Sequence, residues 1–252
     1  MAVEEHPGED LLRRLVDEAR KRGEESVTVE AAATVADAWL RAGFVERARI
    51  LEASVDALER RLRSDEAPSF GSIHVQTDDL DGVVLAVRQY VPRMPGSSKG
   101  SVVAPPRNGW VAVYDELSDR EPEMLRRLAR ELSDRMGAVV LLLGVEEAAV
   151  VRFVLFERGR IMDEYLSVPD FHGELPPGDV IALHANPTVV ARLTGADPAD
   201  VRRVIRTGHS PEELPAASEL VREVAGVLGV DGAQHGYKGA EAIPEAIALP
   251  RE

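Results

Sequence analysis

Apolar residues recur along this chain at two spacings, and the change falls near residue 70. In "EDLLRRLVDEARKRG" the residues Leu11, Leu12, Leu15, Val16 and Ala19 share one helical face, and Gly23 follows as a stop. Two further helices are expected before residue 65, divided at Gly43. "RSDEAPSFGS", residues 63 to 72, breaks the periodicity and reads as a linker. From residue 72 strands and helices alternate. "SIHVQT", "KGSVVAP", "GWVAVYDE" and "AVVLLLGV" read as strands, "DDLDGVVLAVRQYV" and "EPEMLRRLARELSDRMG" as helices. "AVVRFVLFERGRIMDEYLSV" divides at "ERGR" into a hairpin.

Within the first region, "ADAWLRAGFVERARILEASVDAL" (36 to 58) carries Trp39, Leu40, Gly43, Phe44, Ala48, Leu51 and Leu58. This stretch resembles one tetratricopeptide (TPR) helical hairpin, in which a bulky residue, a turn glycine and a small alanine let two antiparallel helices approach. About one repeat is covered and no second copy follows. The resemblance therefore implies a helical hairpin packed on the rest of the chain or on a partner, not a groove of stacked repeats. Over 72 to 168 the order β-α-β-β-α-β resembles the ferredoxin-like split unit, extended by one hairpin. That resemblance lies in element order alone, and unrelated functions use the same fold.

Alternation then assigns the faces of the sheet. Ile73, Val75, Val111 and Val113 point one way, and His74, Gln76, Trp110 and Tyr114 the other. Residues 139 to 143 are apolar at every position, so their strand needs cover on both faces. "GDVIALHA", "NPTVVARLTG", "DPADVRRVIRTG" and "LPAASELVREVAGVLGV" have helical spacing and supply a second layer on the Trp110 and Tyr114 face. The closing "DGAQHGYKGAEAIPEAIALPRE" reads as an extended or frayed tail. The expected architecture is α/β in the α+β sense. It has an N-terminal helical hairpin region (1–65), an extended ferredoxin-like sheet with an added hairpin and covering C-terminal helices (72–230), and a tail (231–252).

Charge narrows the partners. A net charge of -14 provides no general basic field for nucleic acid or anionic lipid. With no cysteine, disulfides, thiolate nucleophiles and cysteine-ligated zinc are excluded. "MAVEEHPGED" has no apolar core of a secretory signal, and "AVVLLLGV" is too short to span a bilayer, so a cytoplasmic protein without membrane contact is expected. Of the 30 basic residues only Lys21, Lys99 and Lys238 are lysine, and Asn108 and Asn186 are the only asparagines. Few thermolabile side chains suit heat adaptation. A melting temperature above the mesophile range is expected; thermal unfolding near 50 °C would refute this.

Several motifs suggest chemistry and then lose it on inspection. "ARLTGADPADV" (191 to 201) sets Ala191, Gly195 and Val201 at helix-turn-helix spacing. The leading end of its second helix carries Asp197 and Asp200, which phosphates repel. Asp197 suits an N-cap, Pro198 the first helical position and Asp200 the helix dipole. Arg202, Arg203 and Arg206 remain as the contacts of a DNA-binding alternative over 186 to 208. "TDDLDG" lacks the ligand order of a calcium loop, and Thr77 or Asp78 reads as a helix cap. In "PGSSKGS" Lys99 precedes Gly100, the reverse of a phosphate loop, leaving a flexible connection. Asp115 with Glu116, and Asp163 with Glu164, read as exposed strand-end charges too far apart to share a site. The six histidines show no metal spacing; His172 near Asp170 and His184 near Asp179 come nearest. No metal and no cofactor is expected.

The remaining set is His74, Gln76, Trp110 and Tyr114. These side chains either line a ligand pocket under the C-terminal helices or form a packed layer with paired polar groups. The expected function is a non-catalytic binding or scaffold protein for a protein partner or a small ligand. One alternative is an enzyme working at the same face, with His74 as general base. The other is the DNA-binding regulator.

Overall fold

The amphipathic spacing of residues 9 to 22 forms the helix it predicts. In the computed structural model α1 (Glu9–Arg22) buries Leu12, Val16 and Ala19 on one face, with acids in its first turn and bases in its last. The structure describes residues 2–3, 9–31, 42, 45–47, 50–54 and 69–251. The chain divides into two compact units, Met1–Pro68 and Ser69–Glu252. In the first unit β1 (Ala2–Val3) runs parallel to β2 (Ser26–Ala31). Antiparallel to β2 lies β4 (Ile50–Ser54), which in turn pairs with β3 (Val45–Arg47).

These strands correct the helical reading of residues 36 to 58. Leu51 lies in β4 opposite Val29, while Trp39, Leu40, Gly43, Phe44, Ala48 and Leu58 lie outside the described residues. "VERARILEAS" is rich in good helix formers, but local propensity is weak against pairing with a remote β-branched strand such as "SVTVEA".

The second unit follows the expected element order closely. Its first half holds β5 (Phe70–Gln76), α2 (Leu80–Tyr90), β6 (Gly100–Val103), β7 (Trp110–Asp115), α3 (Glu116–Arg120), α4 (Pro122–Met136) and β8 (Val139–Glu146). The hairpin is β9 (Val150–Glu157) and β10 (Arg160–Leu166). Its two-residue turn needs positive φ at both positions, supplied by Arg158 (49°) and Gly159 (69°). Then come α5 (Pro177–Ala182), α6 (Pro187–Thr194), α7 (Pro198–Val204), α8 (Ala217–Leu228), α9 (Tyr237–Ala240) and β11 (Ile247–Pro250). All seven strands pair antiparallel in the order β10-β9-β8-β5-β7-β6-β11. Strand β7 thus inserts between β5 and β6, as a split unit requires.

Both faces are covered. Ile73, Val75, Val113, Val140, Leu142 and Val154 pack with α2 and α4. Trp110, Leu141, Leu143, Phe153 and Leu155 pack with α6, α7 and α8. Val201 and Val204 of α7 are buried in that second core, so α7 serves as interior support. Two details depart from expectation. The cap of α2 is Asp79, which accepts from the Gly82 amide, while Thr77 Oγ1 accepts from the Asp79 amide. The closing segment is no frayed tail, because β11 pairs with β6, Ile247 opposite Val103 and Leu249 opposite Ser101. An edge strand with unpaired backbone attracts such a partner, and Pro250 is tolerated at the new edge. Among the described residues no helix is long and apolar enough to cross a membrane.

Candidate functional site

The β5–β7 register decides which candidate side chains are neighbours. His74 lies opposite Ala112 and Gln76 opposite Trp110, so period-two alternation sets His74, Gln76, Trp110 and Tyr114 on the α8 face. Of the four, Trp110 and Tyr114 line one cavity. A cavity of about 520 Å³ lies between β7, the C-terminal half of α8 and the segment that follows it. Trp110, Ala112 and Tyr114 line its sheet side.

Tyr114 is fully buried, and its hydroxyl donates to the Gly232 carbonyl at 3.1 Å. Gly232 sits at φ +84°, and a Cβ there would meet Tyr114 Oη at 2.2 Å. Only glycine fits that position. Burial pushes the phenol well above its ordinary value, so Tyr114 stays a donor across the accessible pH range. The rim of the cavity carries Arg107, Arg222, Asp231, Gln234 and His235. Arg222 Nε donates to the Ser218 carbonyl within α8. Among the described residues neither Arg107 nor Arg222 has an acidic side chain within ion-pair distance.

His74 and Gln76 are corrected out of the set. His74 is completely buried and does not line the cavity. Its Nε2 lies 2.9 Å from Ser72 Oγ and its Nδ1 has no partner. Burial lowers its pKa to about 3, so the ring is neutral and closed off from any substrate. A general base must reach the proton it takes, and this one does not. Gln76 is exposed at the strand end, and its Nε2 donates to the Leu193 carbonyl at 3.3 Å, tying β5 to α6. Alternation reveals the face a side chain occupies but not the depth of what covers it.

Arg202, Arg203 and Arg206 are exposed together. However, Arg203 pairs with Asp200 at 2.8 Å and Arg206 with Glu223 at 3.1 Å, while Asp197 caps α7. Asp115 is buried instead of exposed, because α3 starts directly behind it. It caps that helix and accepts from Ser98 Oγ at 2.9 Å and Ser101 Oγ at 2.7 Å. The "PGSSKGS" connection is therefore anchored, at Ser98. Asp163 and Glu164 lie half-buried on β10, four strand positions from β7, and share nothing with Asp115. Among the described residues no cluster of three or more His, Cys, Asp or Glu side chains could hold a metal.

Sequence reasoning missed a chain of charges on the opposite face. Arg126 of α4 grips Glu164 of β10 with two bonds, 2.6 and 2.9 Å. Arg152 of β9 joins Glu164 at 3.0 Å to Glu146 of β8 at 2.5 Å. His172 Nε2 lies 2.5 Å from the other oxygen of Glu146. Burial alone would raise the Glu146 pKa. The His172 hydrogen bond and the Arg152 guanidinium outweigh it and hold the carboxyl at about 2. One sign of the cluster was visible, a lone arginine inside the apolar "VVRFVLF".

No protein-family model matches the chain, and neither does any curated protein or solved structure.

Proposed function

We propose that this chain is a non-catalytic receptor for a small aromatic anion, held in the cleft beneath α8. The observation that carries the reading is the pairing of aromatic side chains with unneutralised guanidinium groups around one cavity. Trp110 and Tyr114, almost wholly buried, form the aromatic floor, and Arg107 and Arg222 offer charge at the rim. A guanidinium recognises a carboxylate through paired N–H donors, and its attraction is strongest where no acid already occupies it. A chain carrying -14 overall repels an anion at long range, so its binding rests on this local pair of guanidinium groups.

A small ligand is favoured over a protein partner. The exposed large apolar side chains among the described residues are Leu85, Ile161, Leu175 and Ile181. They are spread over α2, β10 and the segment around α5, and apolar residues scattered in this way are ordinary for a surface.

Trp110 is itself the reporter. In a Trp39→Phe background, naphthalene-2-carboxylate is expected to change Trp110 fluorescence saturably. The neutral amide of the same acid should bind at least tenfold more weakly, and Arg107→Gln with Arg222→Gln should erase the difference, a loss of about 1.4 kcal/mol or more. Equal binding of acid and amide, or no saturable change with either, overturns the proposal.

A further inference from the structure

A second cavity, of about 300 Å³, opens on the α4 face of the sheet, where the N-terminus of α4 leaves the ends of β8 and β9 uncovered. Leu125, Leu142, Val145 and Val154 are buried apolar walls, with Phe70 beside them. Ser118 of α3 lines the same space. Its residue is 3% exposed, and its Oγ is buried without a hydrogen-bond partner. A serine in a helix usually returns its hydroxyl to a carbonyl one turn back, and this one does not. Buried hydroxyls are almost always paired, so an orphan on a residue that lines a cavity marks a place for a polar atom from elsewhere.

From this juxtaposition of an apolar cavity and an unpaired buried hydroxyl, we infer a binding site for a small uncharged alcohol with a hydrocarbon body. The ionic groups around the cavity are already engaged with one another or with backbone amides. Arg126 and Arg152 are satisfied by Glu164 and Glu146, and His172 contacts Glu146. Both oxygens of Asp119 are taken, Oδ1 by the Gly71 amide at 3.1 Å and Oδ2 by the Tyr237 amide at 2.7 Å. Glu123 stands exposed at the mouth and adds a negative field that rejects anions. What is left unsatisfied is one hydroxyl among hydrocarbon walls. The volume corresponds to about ten waters, so the guest has on the order of ten non-hydrogen atoms. Its hydroxyl would accept from or donate to Ser118 Oγ while its chain covers Leu142 and Val154.

This site is separate from the cleft under α8, and its test reads different atoms. Octan-1-ol, octanoate and octylammonium are titrated into protein labelled at leucine and valine methyls. Octan-1-ol is expected to shift the methyls of Leu125, Leu142 and Val154 saturably and to leave Trp110 fluorescence unchanged. Octanoate and octylammonium should each bind at least tenfold more weakly. Ser118→Ala should weaken octan-1-ol at least fivefold, and the comparison of the three probes on the unmodified protein stands without that variant. Absence of methyl shifts, undiminished binding by Ser118→Ala, or a charged probe binding as tightly as the alcohol overturns the inference.

Discussion

Between pH 6.5 and pH 4 the protein is expected to lose about 3 kcal/mol of stability through His74 alone, and roughly 5 kcal/mol once the pH falls to about 3 or below. The cause is a ring that is neutral and sealed in the folded chain, with its pKa lowered from the ordinary 6.5 to about 3. In the unfolded chain the same ring charges freely below pH 6.5. A depressed folded-state pKa means that the stability is fully present above 6.5 and drains away as protons bind the unfolded form. Glu146 acts in the same direction at lower pH, since a carboxyl held at about 2 is protonated earlier when unfolded. His74→Leu removes the first of these titrations at similar volume, and Ser72 Oγ keeps the Leu143 carbonyl at 3.4 Å. Acid titration followed by circular dichroism should show the unfolding midpoint of His74→Leu at least half a pH unit lower. An unchanged midpoint would mean that His74 does not control acid stability.

Arg152→Met is expected to cost about 3 kcal/mol at pH 7, toward the lower end of what breaking a buried ion pair costs. Two carboxylates depend on this guanidinium, and they are not equally exposed to its loss. Glu164 keeps both bonds from Arg126, whereas Glu146 keeps only His172. Glu146 has 11% of its side chain exposed, so an uncompensated charge there has little water to turn to. Replacing both ends, Arg152→Met with Glu146→Leu, should recover at least half of the loss, because hydrocarbon in place of a buried pair is often neutral. Urea denaturation of the two single variants and the double variant tests this. Additive losses across the cycle would show that the two groups act independently.

The residues that were readable in advance share one property, a signal confined to a few neighbouring positions. The faces of β5 and β7 follow from alternation, the two-sided cover of β8 from five consecutive apolar residues, and the cap at Asp197 from Asp-Pro before an apolar stripe. The failures needed partners far along the chain. "VERARILEAS" looks helical until β2 is beside it, and "IALP" looks like a tail until β6 offers an edge. His74 and Trp110 are the same kind of position on the same face, yet one is entombed and the other borders a cavity. The difference lies in the open space beside Trp110, bounded by α8 and the segment after it, which His74 does not line.

Local periodicity, set by backbone geometry, was therefore enough to determine most elements of the second unit between β5 and α8, their inward faces and the two-layer cover of its sheet. The tertiary structure alone decided which polar groups meet: Arg126 with Glu164, Arg152 with Glu146, Tyr114 with Gly232, and Ser118 with nothing. Hydrophobic burial needs only a pattern, which a few residues can carry. A hydrogen bond or ion pair needs two particular atoms within about 3 Å, and only strand register and helix placement bring them there.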